Sequence, residues 1–216
     1  MKKIVLFDLD GTLTDSSEGI INSVCYMLKK KGLAIPDEAT LHSFIGPPLT
    51  DTLKQLYDLK EAEADKAVQI YREYYAEQGI KQLSVYDGIE EVLASLAPDY
   101  YLAIATSKPE FYAEQIIANT GLSKYFSGIF GADLAGIRSN KTDVIAYALA
   151  QLEETPAVMI GDRKFDIIGA KANQIKSIGV LYGFGERNEM IEAQADRIVA
   201  TVDELWFYNI WCCYSF

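Results

Sequence analysis

The sequence contains few cysteines and no long hydrophobic run. Its three cysteines, Cys25, Cys212 and Cys213, are odd in number and lack metal-ligand spacing, which argues against a disulfide framework or a cysteine metal site. A reducing cytoplasm is therefore the expected compartment. No apolar stretch approaches the roughly 20 residues that a membrane helix needs, and the N-terminus shows no signal-peptide pattern. These absences predict a protein that neither crosses a membrane nor enters a secretory route.

Positive charge and histidine are also scarce. The chain has 20 lysines and arginines against 31 aspartates and glutamates, a formal net charge of -11. Sequence-independent binding to nucleic acid or to an anionic membrane needs a surplus of basic residues, so we expect neither as a partner. The single histidine, His42, has no partner at ligand spacing and is assigned no catalytic role. An anionic substrate would need a site that reverses this negative field locally.

The hydrophobic content is ordinary for a globular protein, at 50% of 216 residues. The first apolar segment, Ile4 to Phe7, shows no alternation, which is typical of a strand buried on both faces of a parallel sheet. It stops at Asp8 and Asp10. Ligands of open parallel sheets bind beyond the carboxyl ends of the strands, so these two aspartates mark a candidate reactive site.

The rest of the chain falls into two patterns. Residues from about 16 to 79 show helical periodicity and no convincing strand, whereas helix and strand alternate from about residue 84. The alternation predicts an α/β fold, a doubly wound parallel sheet with right-handed crossovers. The expected organisation is a core of residues 1–15 and 82–216, with a small all-helical domain, residues 16–81, inserted after the first strand.

Two later strands also end in polar residues. One is expected to cover Tyr101 to Ala105 and to stop at Thr106 and Ser107, with Pro109 as the first residue of the next helix. Another ends at Gly161-Asp162. Asp166 follows shortly afterwards, and Lys141 lies at the start of a predicted helix. The carboxyl ends of parallel strands share one edge of the sheet, so these residues are expected to converge with Asp8 and Asp10.

Converging aspartates repel one another. At about 4 Å and an effective dielectric constant near 20, one like-charge pair costs on the order of 4 kcal/mol. Protons or a cation would relieve this cost, and oxygen ligands that leave room for water and substrate phosphate suit Mg²⁺. The phosphate oxygens would then bind Thr106, Ser107, Lys141 and the backbone N–H of Leu9.

Four short motifs occur in order: Asp8-Leu9-Asp10-Gly11-Thr12, then Thr106, then Lys141, then Gly161-Asp162 with Asp166. This pattern resembles the haloacid dehalogenase superfamily of phosphotransferases, over nearly the whole chain and including a helical cap after the first motif. Within it, the sequence looks most like the phosphoglycolate-phosphatase group. The stretches at residues 136–141 and 161–170 look closer to a 5′-nucleotidase-like branch.

The resemblance implies roles for these residues and a small phosphorylated metabolite as substrate. Asp8 would be the nucleophile that forms an aspartyl-phosphate, and Asp10 the acid and base. The Mg²⁺ ligands would be Asp8, Asp162 and the backbone carbonyl of Asp10, with Asp166 either a further ligand or the residue that orients Lys141.

Other interpretations remain open at this point. The stretch Thr106-Ser107-Lys108-Pro109 is also compatible with a strand-to-helix cap, and Asp166 with a cap of its own helix. The same motifs serve phosphomutases, which return the phosphoryl group to a sugar, and a phosphatase fold is also compatible with a non-catalytic binding protein. Monomer and homodimer are both open, and the aromatic tail from Trp206 to Phe216 is compatible with a final helix or with a contact between chains.

Overall fold

The computed structural model describes residues 2–133, 138–152 and 156–206. Two compact units divide the chain: residues 1–14 with 85–216, and residues 15–84. The predicted tail, apart from Trp206, and the stretch at residues 134–137 lie outside the described residues. None of the described helices combines the length and hydrophobicity that crossing a lipid bilayer requires.

In the described part of the first unit, six parallel strands form one sheet in the order β5-β4-β1-β6-β7-β8. Their bounds are β1 Lys3–Phe7, β4 Tyr100–Pro109, β5 Phe126–Ala132, β6 Ala157–Gly161, β7 Lys176–Val180 and β8 Arg197–Val199. From β1 the chain runs outward through β4 to β5 and then returns to the other side of β1 as β6. The strand order therefore reverses at β1, the position where open α/β sheets bind ligands.

The helices of this unit follow the strands in alternation. They are α5 Ile89–Leu96, α6 Glu110–Asn119, α7 Lys141–Leu152, α8 Lys164–Ala172 and α9 Arg187–Glu192. Strand β1 is buried on both faces: Val5 and Phe7 are as inaccessible as Ile4 and Leu6. Ile4 and Leu6 of β1 share one buried cluster with Val144 of α7 and Ala170 of α8. The α/β fold predicted from the unbroken apolar strand and the helix–strand alternation is confirmed.

The second unit is helical. It contains α1 Ser17–Lys31, α2 Glu38–His42, α3 Leu49–Tyr57 and α4 Glu61–Glu77, and α1 packs against α4. Helix α1 ends where Gly32 takes a left-handed conformation, with φ of 68°, and donates its N–H to the carbonyl of Lys29. Two short strands, β2 Thr14–Asp15 and β3 Ser84–Val85, form a separate two-stranded sheet.

Two boundaries differ from the prediction. Strand β4 does not end at Ala105, because a pairing between Pro109 and Ala132 carries it through an irregular stretch that includes Thr106. A register shift of this kind re-aims the side chains within it. The next helix therefore begins at Glu110 instead of Pro109, whose ψ of 129° is extended.

Candidate active site

The ends of three adjacent strands form the site. Phe7, the last residue of β1, pairs with Ile104 of β4 on one side and with Ile160 of β6 on the other. The next residue, Asp8, still donates its backbone N–H to the carbonyl of Ile160, at 2.9 Å. Asp162 follows β6 directly. The register therefore brings residues that are 154 positions apart to neighbouring places at one edge of the sheet.

Three buried carboxylates lie together at this edge. Oxygen atoms of Asp8, Asp162 and Asp166 lie within 4.8 Å of one another. Asp162 and Asp166 are fully buried, and Asp8 is 8% exposed. Three acidic groups this close, with so little water, need compensating positive charge.

Lys141 supplies part of that charge. Its Nζ lies 2.7 Å from Asp8 Oδ1 and 2.8 Å from Asp166 Oδ1, and it donates a hydrogen bond to the carbonyl of Ala105 at 3.0 Å. Burial lowers the pKa of Lys141, but the carboxylates of Asp166 and Asp8 outweigh that effect and raise it, so the ammonium stays charged. Lys141 is the first residue of α7, which packs on the strands that carry the aspartates.

Asp162 is held by groups from two other parts of the chain. Its Oδ1 accepts a hydrogen bond from Thr12 Oγ1 at 3.3 Å, and its Oδ2 accepts one from the backbone N–H of Phe184 at 2.8 Å. Gly11 faces the same carboxylate: its φ is +82°, and a Cβ on it would lie 2.2 Å from Asp162 Oδ2. Only a residue without a side chain fits both this backbone conformation and this space.

Asp166 makes two kinds of contact. Its Oδ2 accepts a hydrogen bond from the backbone N–H of Arg163 at 3.0 Å, and this bond caps α8. A capping role for Asp166 was one of the two interpretations of the sequence. Its Oδ1 forms the ion pair with Lys141 without a well-directed hydrogen bond. Burial, with Asp8 nearby, raises the pKa of Asp166 to about 6 although Lys141 opposes the shift. Asp166 therefore both caps its helix and contacts the lysine.

The carboxylate cluster fits a divalent cation. Burial, and then the charges of Asp166 and Asp8, raise the pKa of Asp162 well above its ordinary value. Such a shift means that the ionised form is poorly compensated by the protein's own groups. The donors are all oxygen, which suits a hard cation such as Mg²⁺ or Mn²⁺ better than Zn²⁺.

In the part of the chain that the structure describes, the carboxylate cluster does not include Asp10. Its Oδ2 forms an ion pair with Lys108 Nζ at 3.0 Å, and the two side chains are 15% and 7% exposed. Sequence reasoning did not single out Lys108. The available signal was its place directly after Thr106-Ser107, where a third polar residue precedes Pro109. Thr12 was part of the first motif but was given no role, and Phe184 was missed; both hold Asp162.

Of the expected phosphate ligands, Lys141 and Leu9 contact Asp8, and Thr106 and Ser107 lie in the irregular stretch of the neighbouring strand β4. The backbone N–H of Leu9 donates to Asp8 Oδ1 at 2.7 Å. Thr106 is 2% exposed, and its Oγ1 accepts a hydrogen bond from the backbone N–H of Lys108 at 3.2 Å, while Ser107 is half-buried. This local turn holds the Thr106 hydroxyl in place beyond the end of the regular strand.

Comparison with known proteins agrees with this arrangement. Residues 5–180 match the model of a family described as haloacid dehalogenase-like hydrolase. A 5′-nucleotidase of Pseudomonas aeruginosa is 42% identical, over 93% of this chain and 92% of that protein. The crystal structure of a predicted phosphatase from Clostridium acetobutylicum is 46% identical and superposes with a TM-score of 0.91, over 95% of this chain and 96% of that one.

A third relative carries a different name. The tyrosine-protein kinase PtkA of Mycobacterium tuberculosis is 40% identical over 94% of this chain and 71% of that protein. The family match covers most of the sequence, so the chain belongs to the haloacid dehalogenase-like hydrolases and is an enzyme of that family. The resemblance stated from the motifs is confirmed.

Proposed function

We propose that this protein is a Mg²⁺-dependent phosphatase that hydrolyses a small phosphate monoester through an aspartyl-phosphate on Asp8. The observation that carries the proposal is the buried group of Asp8, Asp162 and Asp166, with Lys141 Nζ 2.7 Å from Asp8. A carboxylate beside both a cation site and a fixed ammonium has the surroundings that an attack on a phosphate dianion needs.

The residues divide into those that hold the ion and those that hold the phosphate. The carboxylates of Asp8 and Asp162 and the backbone carbonyl of Asp10 are proposed as metal ligands. When bound, Mg²⁺ offsets the charge of the phosphoryl oxygens. Asp166 is proposed to orient Lys141, since its two oxygens already contact that lysine and the backbone of Arg163.

Phosphate binding is assigned to four groups: the ammonium of Lys141, the hydroxyls of Thr106 and Ser107, and the backbone N–H of Leu9. Lys141 and the Leu9 N–H both contact Asp8 Oδ1. They therefore fix the orientation of the Asp8 carboxylate and lie where they can also reach phosphate bound beside it. Positioning of this kind supplies much of the acceleration in phosphoryl transfer.

The reaction proceeds in two displacements. A carboxylate oxygen of Asp8 bonds to phosphorus as the bond to the leaving oxygen breaks, and Asp10 gives that oxygen a proton. Water then attacks the phosphorus of the aspartyl-phosphate and gives its proton to Asp10. The bond from Asp8 to phosphorus breaks, inorganic phosphate leaves, and both aspartates return to their initial states.

The proposed substrates are nucleoside 5′-monophosphates and phosphoglycolate. The first class follows from the 5′-nucleotidase relative, and the second from the resemblance of the motifs to phosphoglycolate phosphatases. We further propose that the helical unit, residues 15–84, acts as the cap that selects the leaving group, as caps do in this family.

A screen of small phosphate monoesters with Mg²⁺, measured by release of inorganic phosphate, tests the proposal. The folded variant Asp8→Asn is the control, because it keeps the size of the side chain and removes the nucleophile. Release by the unsubstituted enzyme alone supports the proposal. No release from any monoester, or transfer of the phosphoryl group to a sugar or to tyrosine in place of water, contradicts it.

A further inference from the structure

We infer that Lys108 is a positioning residue that holds the acid–base Asp10 in place through their ion pair. Lys108 Nζ lies 3.0 Å from Asp10 Oδ2, and both side chains are largely shielded from water, at 7% and 15% exposure. The inference rests on the proposed function, because it takes Asp10 as the residue that protonates the leaving oxygen. Lys108 contacts Oδ2 of Asp10, so the proton that Asp10 transfers is assigned to Oδ1.

The position of Lys108 is fixed by the backbone around it. It lies in the irregular stretch of β4 between two pairings with β5, Ala105 with Phe130 and Pro109 with Ala132. Its own N–H donates to Thr106 Oγ1 at 3.2 Å. One turn therefore carries both the Thr106 hydroxyl and the Lys108 ammonium that contacts Asp10.

The surroundings of this pair differ from those of a surface ion pair. Lys124 and Glu90, in the same compact unit, form a pair at 2.8 Å, but their side chains are 61% and 55% exposed. Water competes for such groups, and exposed pairs have little effect on geometry or stability. At Lys108 and Asp10 there is little water to replace a lost partner, so removing the lysine takes away a shielded contact that helps to orient the Asp10 carboxylate.

Loss of that orientation has a specific kinetic signature. A misplacement of about 1 Å in a reacting group costs about 10²-fold in rate. An alkyl alkoxide is a poor leaving group and needs the proton of Asp10, whereas p-nitrophenolate departs as a stable anion without one. kcat/KM reports the formation of the aspartyl-phosphate, so a fault in Asp10 alone lowers kcat/KM for alkyl phosphates and spares kcat/KM for p-nitrophenyl phosphate. Hydrolysis of the aspartyl-phosphate, which also uses Asp10, is common to both substrates and affects kcat.

The experiment measures kcat/KM of Lys108→Met with two substrates, p-nitrophenyl phosphate and the better of AMP and 2-phosphoglycolate. The expected result is a loss of about 10²-fold for the alkyl phosphate, with kcat/KM for p-nitrophenyl phosphate close to that of the unsubstituted enzyme. Lys124→Met is the matched control and should leave both values unchanged. Equal losses with both substrates would place Lys108 on the phosphate or in the fold, and would overturn the inference.

A double substitution separates action through Asp10 from independent action. In the Asp10→Asn background, Lys108→Met should have no further effect on kcat/KM for p-nitrophenyl phosphate or the alkyl phosphate. If the two substitutions instead lower kcat/KM by factors that multiply in the double variant, the inference is overturned and the proposed function stands. If the unsubstituted enzyme hydrolyses no monoester of the screen with Mg²⁺, the proposed function fails and the inference fails with it.

Discussion

The buried carboxylates should lower the unfolding free energy of the metal-free protein as pH rises. The contribution of Asp166 to this change can be measured. Its pKa is raised from 3.8 to about 6 in the folded chain, so folding favours its protonated form. The stability that this group contributes is fully present below its ordinary pKa of 3.8 and is lost as pH rises through about 6.

The size of the effect follows from the shift. About two pKa units correspond to about 3 kcal/mol of unfolding free energy, at about 1.4 kcal/mol for each unit. Replacing Asp166 with Asn removes this titration and also relieves the neighbouring Asp162, whose pKa is raised in part by the charge of Asp166. Lys141 stays charged at both pH values, because its pKa is raised. Loss of its ion pair with Asp166 in Asp166→Asn therefore changes the unfolding free energy by an amount that does not vary with pH.

Urea unfolding with a chelator present, at about pH 4 and about pH 7.5, measures the effect. The stability of the unsubstituted protein relative to Asp166→Asn should fall by about 3 kcal/mol between the two pH values. Asp65→Asn, at an exposed position of α4, is the control and should show no such change.

Adding Mg²⁺ should stabilise the unsubstituted protein more at the higher pH, because only ionised carboxylates bind the ion. Two results would refute the reasoning. One is a stability difference between the unsubstituted protein and Asp166→Asn that is independent of pH. The other is equal stabilisation by Mg²⁺ at both pH values.

Three further substitutions in the site, the first with a control outside it, test other parts of the mechanism. Gly11→Ala should abolish Mg²⁺ binding measured by calorimetry, because the added Cβ would lie 2.2 Å from Asp162 Oδ2. Gly32→Ala is the control: φ is positive there too, but no atom lies within 4 Å of the added Cβ, so the substitution should cost only about 1 kcal/mol of stability. Lys141→Met should lower kcat/KM by about 10²- to 10³-fold with Mg²⁺ present, and a smaller loss than in Thr106→Val would contradict the charge argument. Thr106→Val, which removes one hydroxyl at nearly constant volume, should raise KM about 10-fold in steady-state assays.

The fold was predictable because its signals are local and repeated. An apolar strand without alternation, and helical periods between later strands, identify a parallel sheet before any contact is known. The boundaries were less predictable. Strand β4 continues past Ala105 because Pro109 pairs with Ala132 of a strand that comes later in the chain, and nothing in the local sequence shows that pairing.

The candidate site was predictable where residue type and position carry the chemistry. Asp8 and Asp162 follow apolar strands, and a parallel sheet brings such ends together. Thr12 belongs to the first motif, but its contact with Asp162 was not predictable, and neither was that of Phe184, since a hydroxyl and a backbone N–H carry no sequence signature for such a contact. The pairing of Lys108 with Asp10 likewise depends on the path of the irregular stretch in β4.

The most direct test of the account is to locate the phosphoryl group during turnover. Enzyme mixed with Mg²⁺ and a hydrolysed monoester is quenched in acid within one turnover, digested, and analysed by mass spectrometry for a phosphorylated aspartate. The account predicts the label on Asp8, and no label in Asp8→Asn. A phosphoryl group on any other residue, or phosphate release by folded Asp8→Asn at the unsubstituted rate, would contradict it.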